Sequence, residues 1–143
     1  MPTNGFARLA YFLLRVVAGL LFMQAGGMKL LDWFGGMAAA GQPPIEVGSQ
    51  VWIGGVLELV GGALVLIGLF TRPAAFILSG EMAVAYFQFH YKWATSTGWT
   101  WPAQNGGGEA VLFCFIFLLF AAQGGGMLSV DGLRRSGASK PAR

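Results

Sequence analysis

Cysteine, histidine and charged residues are scarce in this chain of 143 residues. Its one cysteine, Cys114, excludes an internal disulfide, a C-x-x-C redox pair and a cysteine-rich metal site. Its one histidine, His90, excludes a haem held by two histidines of the chain, and we expect no metal site. Charged residues make up only 10% of the chain and hydrophobic residues 55%. Because a soluble domain carries about 25% charged residues, this composition indicates an integral membrane protein.

Four apolar runs predict an all-α membrane bundle in a single domain, residues 1–131, followed by a basic cytoplasmic tail, residues 132–143. The runs cover about 9–31, 51–70, 73–91 and 108–128, and a helix needs about 20 residues to cross a membrane. The first run is longer than the apolar part of a signal peptide, so we expect it to remain as a span. The segment 34–50 is rich in Gly, Ala and Pro and predicts a loop or a short segment on the membrane surface.

The distribution of basic residues predicts the orientation of these spans. Seven fall on the side of the two termini and two on the other: Arg8, Arg15, Arg72, Arg134, Arg135, Lys140 and Arg143 against Lys29 and Lys92. The positive-inside rule then places both termini in the cytoplasm and, in a bacterium, the long loops on the periplasmic side of the inner membrane. Because the basic residues mostly flank apolar runs, we expect the lipid bilayer as a partner and no nucleic acid.

Polar residues within the spans are the candidate functional residues, because a charge at the membrane centre costs about 2.5–3.5 kcal/mol or more. Counting depth at about 1.5 Å per residue places six of them in an outer polar cluster: Gln24, Lys29, Glu58, His90, Asn105 and Glu109. Glu58 shares a stripe with Gly54 and Gly61, which predicts that it points into the bundle. The cluster is interpreted as a ligand pocket, within this chain or shared with another, or else as polar contacts that hold helices together.

Arg15 and Glu81 form a second candidate pair, in the inner half of the membrane. Their depths, about 10 Å and about 12 Å from the cytoplasmic ends of their spans, predict an ion pair. A satisfied pair explains both residues without a ligand, so we interpret it first as a structural clasp and only second as a site.

Six short motifs follow one another along the chain. They are Arg15 with Gly27 and Lys29; the E-x-x-G-G pattern of Glu58, Gly61 and Gly62; Gly68, Thr71 and Arg72 with Ala74 and Ala75; Met82, Ala85 and His90; Asn105 to Glu109; and Gly124 and Gly126 before Ser129, Val130 and Asp131. In this order they resemble the DoxX family of small four-span bacterial membrane proteins. The resemblance implies a four-helix bundle in the cytoplasmic membrane and an association with quinone-linked oxidoreductases, since members are subunits of thiosulfate:quinone oxidoreductase and others belong to membrane redox-stress complexes.

The leading functional hypothesis is therefore a membrane subunit of a redox complex that carries no cofactor of its own, is not catalytic alone and offers a pocket to a quinone headgroup. Lys29 or His90 would donate hydrogen bonds to a quinone carbonyl, and Glu58 or Glu109 would relay protons. Electrons would come from other membrane subunits, because the chain has no haem, flavin or iron–sulfur motif. The alternative is a purely structural accessory subunit. A transporter ranks third, since no inverted repeat or broken helix is evident.

Overall fold

The computed structural model describes residues 4–39, 41–91 and 101–138, with the backbone alone for 38–39 and 137–138, and these residues form helices and no strand. Seven α-helices are defined there: α1 Gly5–Leu30, α2 Gly36–Ala39, α3 Gln50–Ile67, α4 Thr71–Ala85, α5 Pro102–Asn105, α6 Gly108–Gln123 and α7 Val130–Ala138. A short 3-10 helix, Trp33–Gly35, precedes α2, and α4 continues directly into a π-helix, Tyr86–His90.

The long helices begin and end at residues suited to those positions. The Asn4 side chain accepts from the Ala7 N–H at 2.7 Å and caps α1, and Ser49 accepts from the Trp52 N–H at 3.2 Å and caps α3. Gly68 ends α3 with a positive φ of 71°, which glycine adopts without strain. The chain then turns within two residues into α4, so α3 and α4 form a tight antiparallel hairpin.

The four long helices pack as a bundle in the order α1, α3, α4, α6. Glycines let α3 approach both of its neighbours. On one side, a Cβ at Gly19 of α1 would lie 2.9 Å from the Gly62 carbonyl oxygen of α3. On the other, a Cβ at Gly61 would lie 2.8 Å from Leu78 of α4. Small residues at such contacts are typical of helices that pack in lipid.

The bundle has an aromatic core and an apolar exterior. Phe22 of α1 packs edge-on against Phe113 and Phe117 of α6, with ring centroids 4.9 and 4.4 Å apart. Large apolar side chains are exposed along the outer faces of the helices, among them Val17, Leu21, Phe76, Leu112 and Phe115. Exposed apolar surface on this scale is typical of contact with lipid. In the described part of the chain, two helices, α1 and α3, are long and apolar enough to cross a membrane, and α6 is a shorter apolar helix.

One predicted boundary is corrected near the carboxyl end. The fourth apolar run was expected to stay helical to about residue 128, but α6 ends at Gln123 because Gly124 and Gly126 adopt positive φ. The predicted tail, residues 132–143, begins inside α7, and its described residues up to Ala138 are helical. Lys92, Lys140 and Arg143, which entered the charge count, lie outside the described residues.

Candidate functional site

A pocket of about 710 Å³ lies at the end of the bundle remote from the α3–α4 turn; we call this the pocket end and the opposite end the turn end. Its walls come from α1, α3, α4, the π-helix and α6. The volume is in the range of small-molecule sites, roughly 300–1,000 Å³. Its polar lining residues are Lys29, Gln42, Gln50, Glu58, Glu81, His90 and Glu109.

The centre of the pocket is an ion pair between α1 and α3. The Lys29 ammonium donates to both carboxylate oxygens of Glu58, at 2.5 and 2.6 Å. Glu58 is 5% exposed, as the glycine stripe predicted. Gly55 lets α1 approach α3 closely beside the pair, since a Cβ there would lie 3.1 Å from the Lys29 Cβ. The contact joins α1 to α3, and removal of either partner would leave an unpaired charge in the pocket, at a cost of about 3–5 kcal/mol.

Glu81 of α4 adds a second carboxyl group to the same pocket. Its Oε1 faces α3 at Gly54, where a Cβ would lie 3.1 Å away. Its Oε2 is buried and has no hydrogen-bond partner among the described residues. Lys29 and Glu58 are both near enough to interact with it electrostatically. The pocket therefore brings one ammonium group together with two carboxyl groups.

The predicted ion pair between Arg15 and Glu81 is not formed, and this expectation is corrected. The Arg15 guanidinium is fully buried at the turn end and donates to three carbonyl oxygens, those of Val65, Leu66 and Leu128, at 2.8–2.9 Å. Glu81 lies ten residues along α4 from Thr71, about 15 Å closer to the pocket end.

The depth count failed because α1 begins at Gly5 and extends beyond the α3–α4 turn, so Arg8 does not mark the edge of the bundle. Counting residues from the turn of the α3–α4 hairpin predicts the level of Glu81 correctly. Glu58 lies ten residues before Gly68 and Glu81 ten residues after Thr71, which places the two carboxyl groups at one level.

The rim of the pocket is formed by the π-helix and the start of α6. His90 Nδ1 lies 3.3 Å from the Asn105 carbonyl oxygen. The Asn105 side chain donates to the Tyr86 hydroxyl at 3.3 Å and accepts from the Gly107 N–H at 2.8 Å. Asn105 thus orders the loop before α6 but does not line the pocket, whereas His90 and the exposed Glu109 do.

Gln24 is the predicted cluster residue that the structure places elsewhere. It is exposed on α1 and is not part of the pocket lining. Gly19, Gly26 and Lys29 determine which face of α1 turns towards α3, and Gln24 lies off that face. Gln50 was not predicted as a site residue, but it lines the pocket and its side-chain amide donates to the Gln88 side chain of the π-helix.

The turn end is closed by a second polar arrangement, built on Asp131. Its carboxylate accepts from the backbone N–H groups of Phe70 and Thr71 at 2.9 Å, and its own N–H donates to the Gly68 carbonyl at 2.9 Å. Burial by itself would raise the pKa of Asp131, but these N–H donors together with Arg135 hold it below its ordinary value. A cation at the end of α3 and a carboxylate at the start of α4 complement the two helix dipoles, so we interpret this end as structural.

No group of three or more His, Cys, Asp or Glu side chains among the described residues is placed to hold a metal ion.

Comparison with known proteins places these features in a family. The DoxX family model matches residues 10–91, more than half of the chain, and includes Lys29, Glu58, Glu81 and His90 but not Glu109. An uncharacterized protein of Haemophilus influenzae is 41% identical over 127 residues, which cover 85% of this chain and 89% of the relative. No solved structure matches the chain. By sequence and by its helical membrane architecture, the chain belongs to the DoxX family.

Proposed function

We propose that the protein crosses the bacterial inner membrane four times, with both termini in the cytoplasm. The turn end then faces the cytoplasm, and the basic residues Arg72, Arg134 and Arg135 on that side agree with the positive-inside rule. In this orientation the pocket belongs to the periplasmic half of the membrane.

Within that membrane the protein acts as a subunit of a quinone-linked redox complex, and its pocket receives the quinone headgroup. The observation that carries this proposal is the composition of the pocket wall. Lys29, Glu58 and Glu81 are grouped together, and apolar side chains surround them: Leu57, Ile77, Met82, Phe89 and Phe113. A polar group within an apolar wall fits an amphipathic ligand that enters from the bilayer with its polar end first.

The pocket supplies the two kinds of group that quinone chemistry needs. Lys29 has three N–H donors and uses two of them on Glu58. Its third N–H can donate to a carbonyl oxygen of the ligand. The carboxyl groups of Glu58 and Glu81 are proton carriers for a reaction that takes up or releases protons. Electrons come from a partner subunit, because the sequence contains no motif for an electron-carrying group.

Purification of the tagged protein from its own membranes in mild detergent tests the proposal. Co-purifying proteins and extracted quinones are identified by mass spectrometry. We expect redox subunits at fixed stoichiometry and bound quinone, and we expect Glu58→Gln to lose most of the quinone. Glu46→Gln is the matched control, since Glu46 is exposed in the loop before α3 and does not line the pocket.

Quinone content that stays the same in Glu58→Gln would refute the pocket assignment. A stoichiometric partner without any quinone would favour the structural accessory role instead. The thermal unfolding midpoint of each variant, measured in the same detergent, separates lost binding from lost folding.

A further inference from the structure

We infer that the pocket opens sideways to the lipid through a groove between α3 and α4, and that this groove holds the apolar chain of the ligand. We call it the lateral groove, and its apolar lining residues are Ile53, Leu57, Ile77 and Val84. The inference rests on the proposed function and adds to it the position of the chain and the side chains that contact it.

The opening is marked by residues that line the pocket and are also exposed on the outside of the bundle. Ile53 of α3 and Ile77 and Val84 of α4 all line the pocket. They are 51, 52 and 47% exposed. A wall residue that also faces outward lies at an edge of the pocket, so the pocket is open to the surroundings of the bundle between these two helices.

Towards the turn end, the pocket continues along the lipid side of the bundle and not through its interior. Leu78 and Phe117 fill the interior, are almost fully buried and do not line the pocket. Ile77, the neighbour of Leu78, is the lining residue nearest to the turn, six residues or about 9 Å along α4 from Thr71. A chain that extends from the headgroup towards the middle of the membrane therefore lies outside, against Ile77.

Gly54 keeps the headgroup site connected to the lateral groove. By the helical repeat of 3.6 residues, Gly54 lies between the buried Glu58 and the exposed Ile53 around the axis of α3. A Cβ at Gly54 would lie 3.1 Å from Glu81 Oε1 of α4. A larger side chain would fill the space between the two helices at this point, whereas glycine leaves it open.

The lateral groove lies between two contacts that join α3 to α4 and its extension. At the pocket end, the Gln50 side chain donates to the Gln88 side chain of the π-helix. Nearer the turn, Gly61 packs against Leu78. Positions 50 and 61 are about 16 Å apart along α3, roughly half of a hydrocarbon core of about 30 Å. The groove thus faces lipid tails, where an apolar chain fits and a polar substituent would lose its hydrogen bonds to water.

Photochemical labelling of the full chain in lipid nanodiscs tests the position of the ligand's chain. The probe is a benzoquinone whose decyl chain ends in a diazirine, and labelled residues are identified by mass spectrometry. An excess of unlabelled decyl benzoquinone identifies the labelling that depends on headgroup binding, because labelling from probe that is merely dissolved in the bilayer persists. We expect the competable labelling to fall on the residues of the lateral groove.

Tryptophan substitutions on α4 provide the matched comparison. Ile77→Trp fills the groove and should reduce the competable labelling about tenfold, the order of effect expected when an added side chain overfills a contact. Phe76→Trp is the control, since Phe76 is the adjacent residue, is 66% exposed and does not line the pocket. A benzoquinone without the chain, followed by equilibrium dialysis, should bind both variants as it binds the wild type. Val84→Trp fills the same groove at a second position in case Ile77→Trp fails to fold.

The outcomes separate the inference from the proposed function. If the chain-free probe does not bind and no residue shows competable labelling, the proposed function itself is overturned. If the chain-free probe binds but competable labelling is absent or lies elsewhere, such as along α6 at Leu112 or Phe115, the proposed function stands and the inference is overturned. Equal labelling of the wild type, Ile77→Trp and Val84→Trp would also overturn the inference.

Discussion

Replacement of Arg15 by methionine tests whether its carbonyl contacts stabilise the bundle. The guanidinium is fully buried and donates to the carbonyl oxygens of Val65, Leu66 and Leu128. Methionine has a similar length and no donor, so all three hydrogen bonds are lost and no unpaired charge remains. The Val65 carbonyl retains a second donor, the Gly68 N–H, whereas the other two lose the donor that Arg15 supplies.

The expected magnitude follows from those carbonyls. Each buried acceptor left without a donor costs about 1–3 kcal/mol, so we expect Arg15→Met to lower the free energy of unfolding by about 2–5 kcal/mol. Arg15→Lys keeps the charge but replaces the planar fork by a single ammonium group, and it should lose less than Arg15→Met.

Equilibrium unfolding in mixed detergent micelles, followed by tryptophan fluorescence, measures the effect. Arg8→Met is the matched control, because Arg8 lies on the same helix and is exposed. We expect the control to change stability by no more than about 0.5 kcal/mol. If Arg15→Met were as mild as the control, the carbonyl contacts would contribute nothing and the reasoning would be refuted.

A double-mutant cycle with Glu81→Gln distinguishes this account from the ion pair expected from the sequence. The two residues lie at different ends of the bundle, so their effects should add to within about 0.5 kcal/mol. A coupling of more than about 1 kcal/mol would instead support a direct interaction between Arg15 and Glu81.

Three further predictions concern the pocket pair, the helix contacts and the turn end. Lys29→Met should lower the free energy of unfolding by about 3–5 kcal/mol, because it leaves the Glu58 charge unpaired. The added change Glu58→Leu should recover much of that loss, because replacing both partners by apolar residues costs little. Additive effects of the two changes in the same unfolding assay would contradict this. Gly19→Ala should destabilise the protein by about 1–3 kcal/mol, since the added Cβ would lie 2.7 Å from a backbone nitrogen of α3. Gly80→Ala should be neutral, because a Cβ at that position would have no atom within 4 Å. Equal unfolding midpoints for the two variants would count against the close packing. Folding lowers the pKa of Asp131, so its contribution to the free energy of unfolding is present above the ordinary aspartate pKa of 3.8 and is lost as the pH falls through the folded value. Asp131→Asn should therefore unfold more easily than the wild type at neutral pH, and the difference should shrink below about pH 4. A constant difference across this range would refute the assignment.

Several features of the site were predictable because they depend on one helix at a time. The glycine stripe of α3 predicted that Glu58 points inward, and it is 5% exposed. The depth count grouped Lys29 with Glu58 in one outer cluster, but it placed Gln24 rather than Lys29 level with Glu58, and the structure pairs Lys29 with Glu58. The interpretation of the outer cluster as a ligand pocket stays a prediction.

Other features depend on how far one helix is shifted along its neighbour. Arg15 and Glu81 appeared level only when each span was measured from its own end, and α1 extends past the α3–α4 turn. The prediction that Gln24 belongs to the outer polar cluster was wrong for a related reason. The rotation of α1 about its axis is determined by its glycine contacts with α3. Neither a relative shift nor a rotation is encoded in the composition of a single run.

The sequence by itself determined the helical membrane character, the positions of the apolar runs and the inward direction of Glu58, because these follow from hydropathy, helix breakers and the periodicity of a single helix. Only the tertiary structure decided which partners Arg15 and Glu81 have. Close contacts at Gly19, Gly54 and Gly62 determine the register between helices, and that register brings Glu81 to Lys29 and Glu58 while Arg15 meets the carbonyls at the turn.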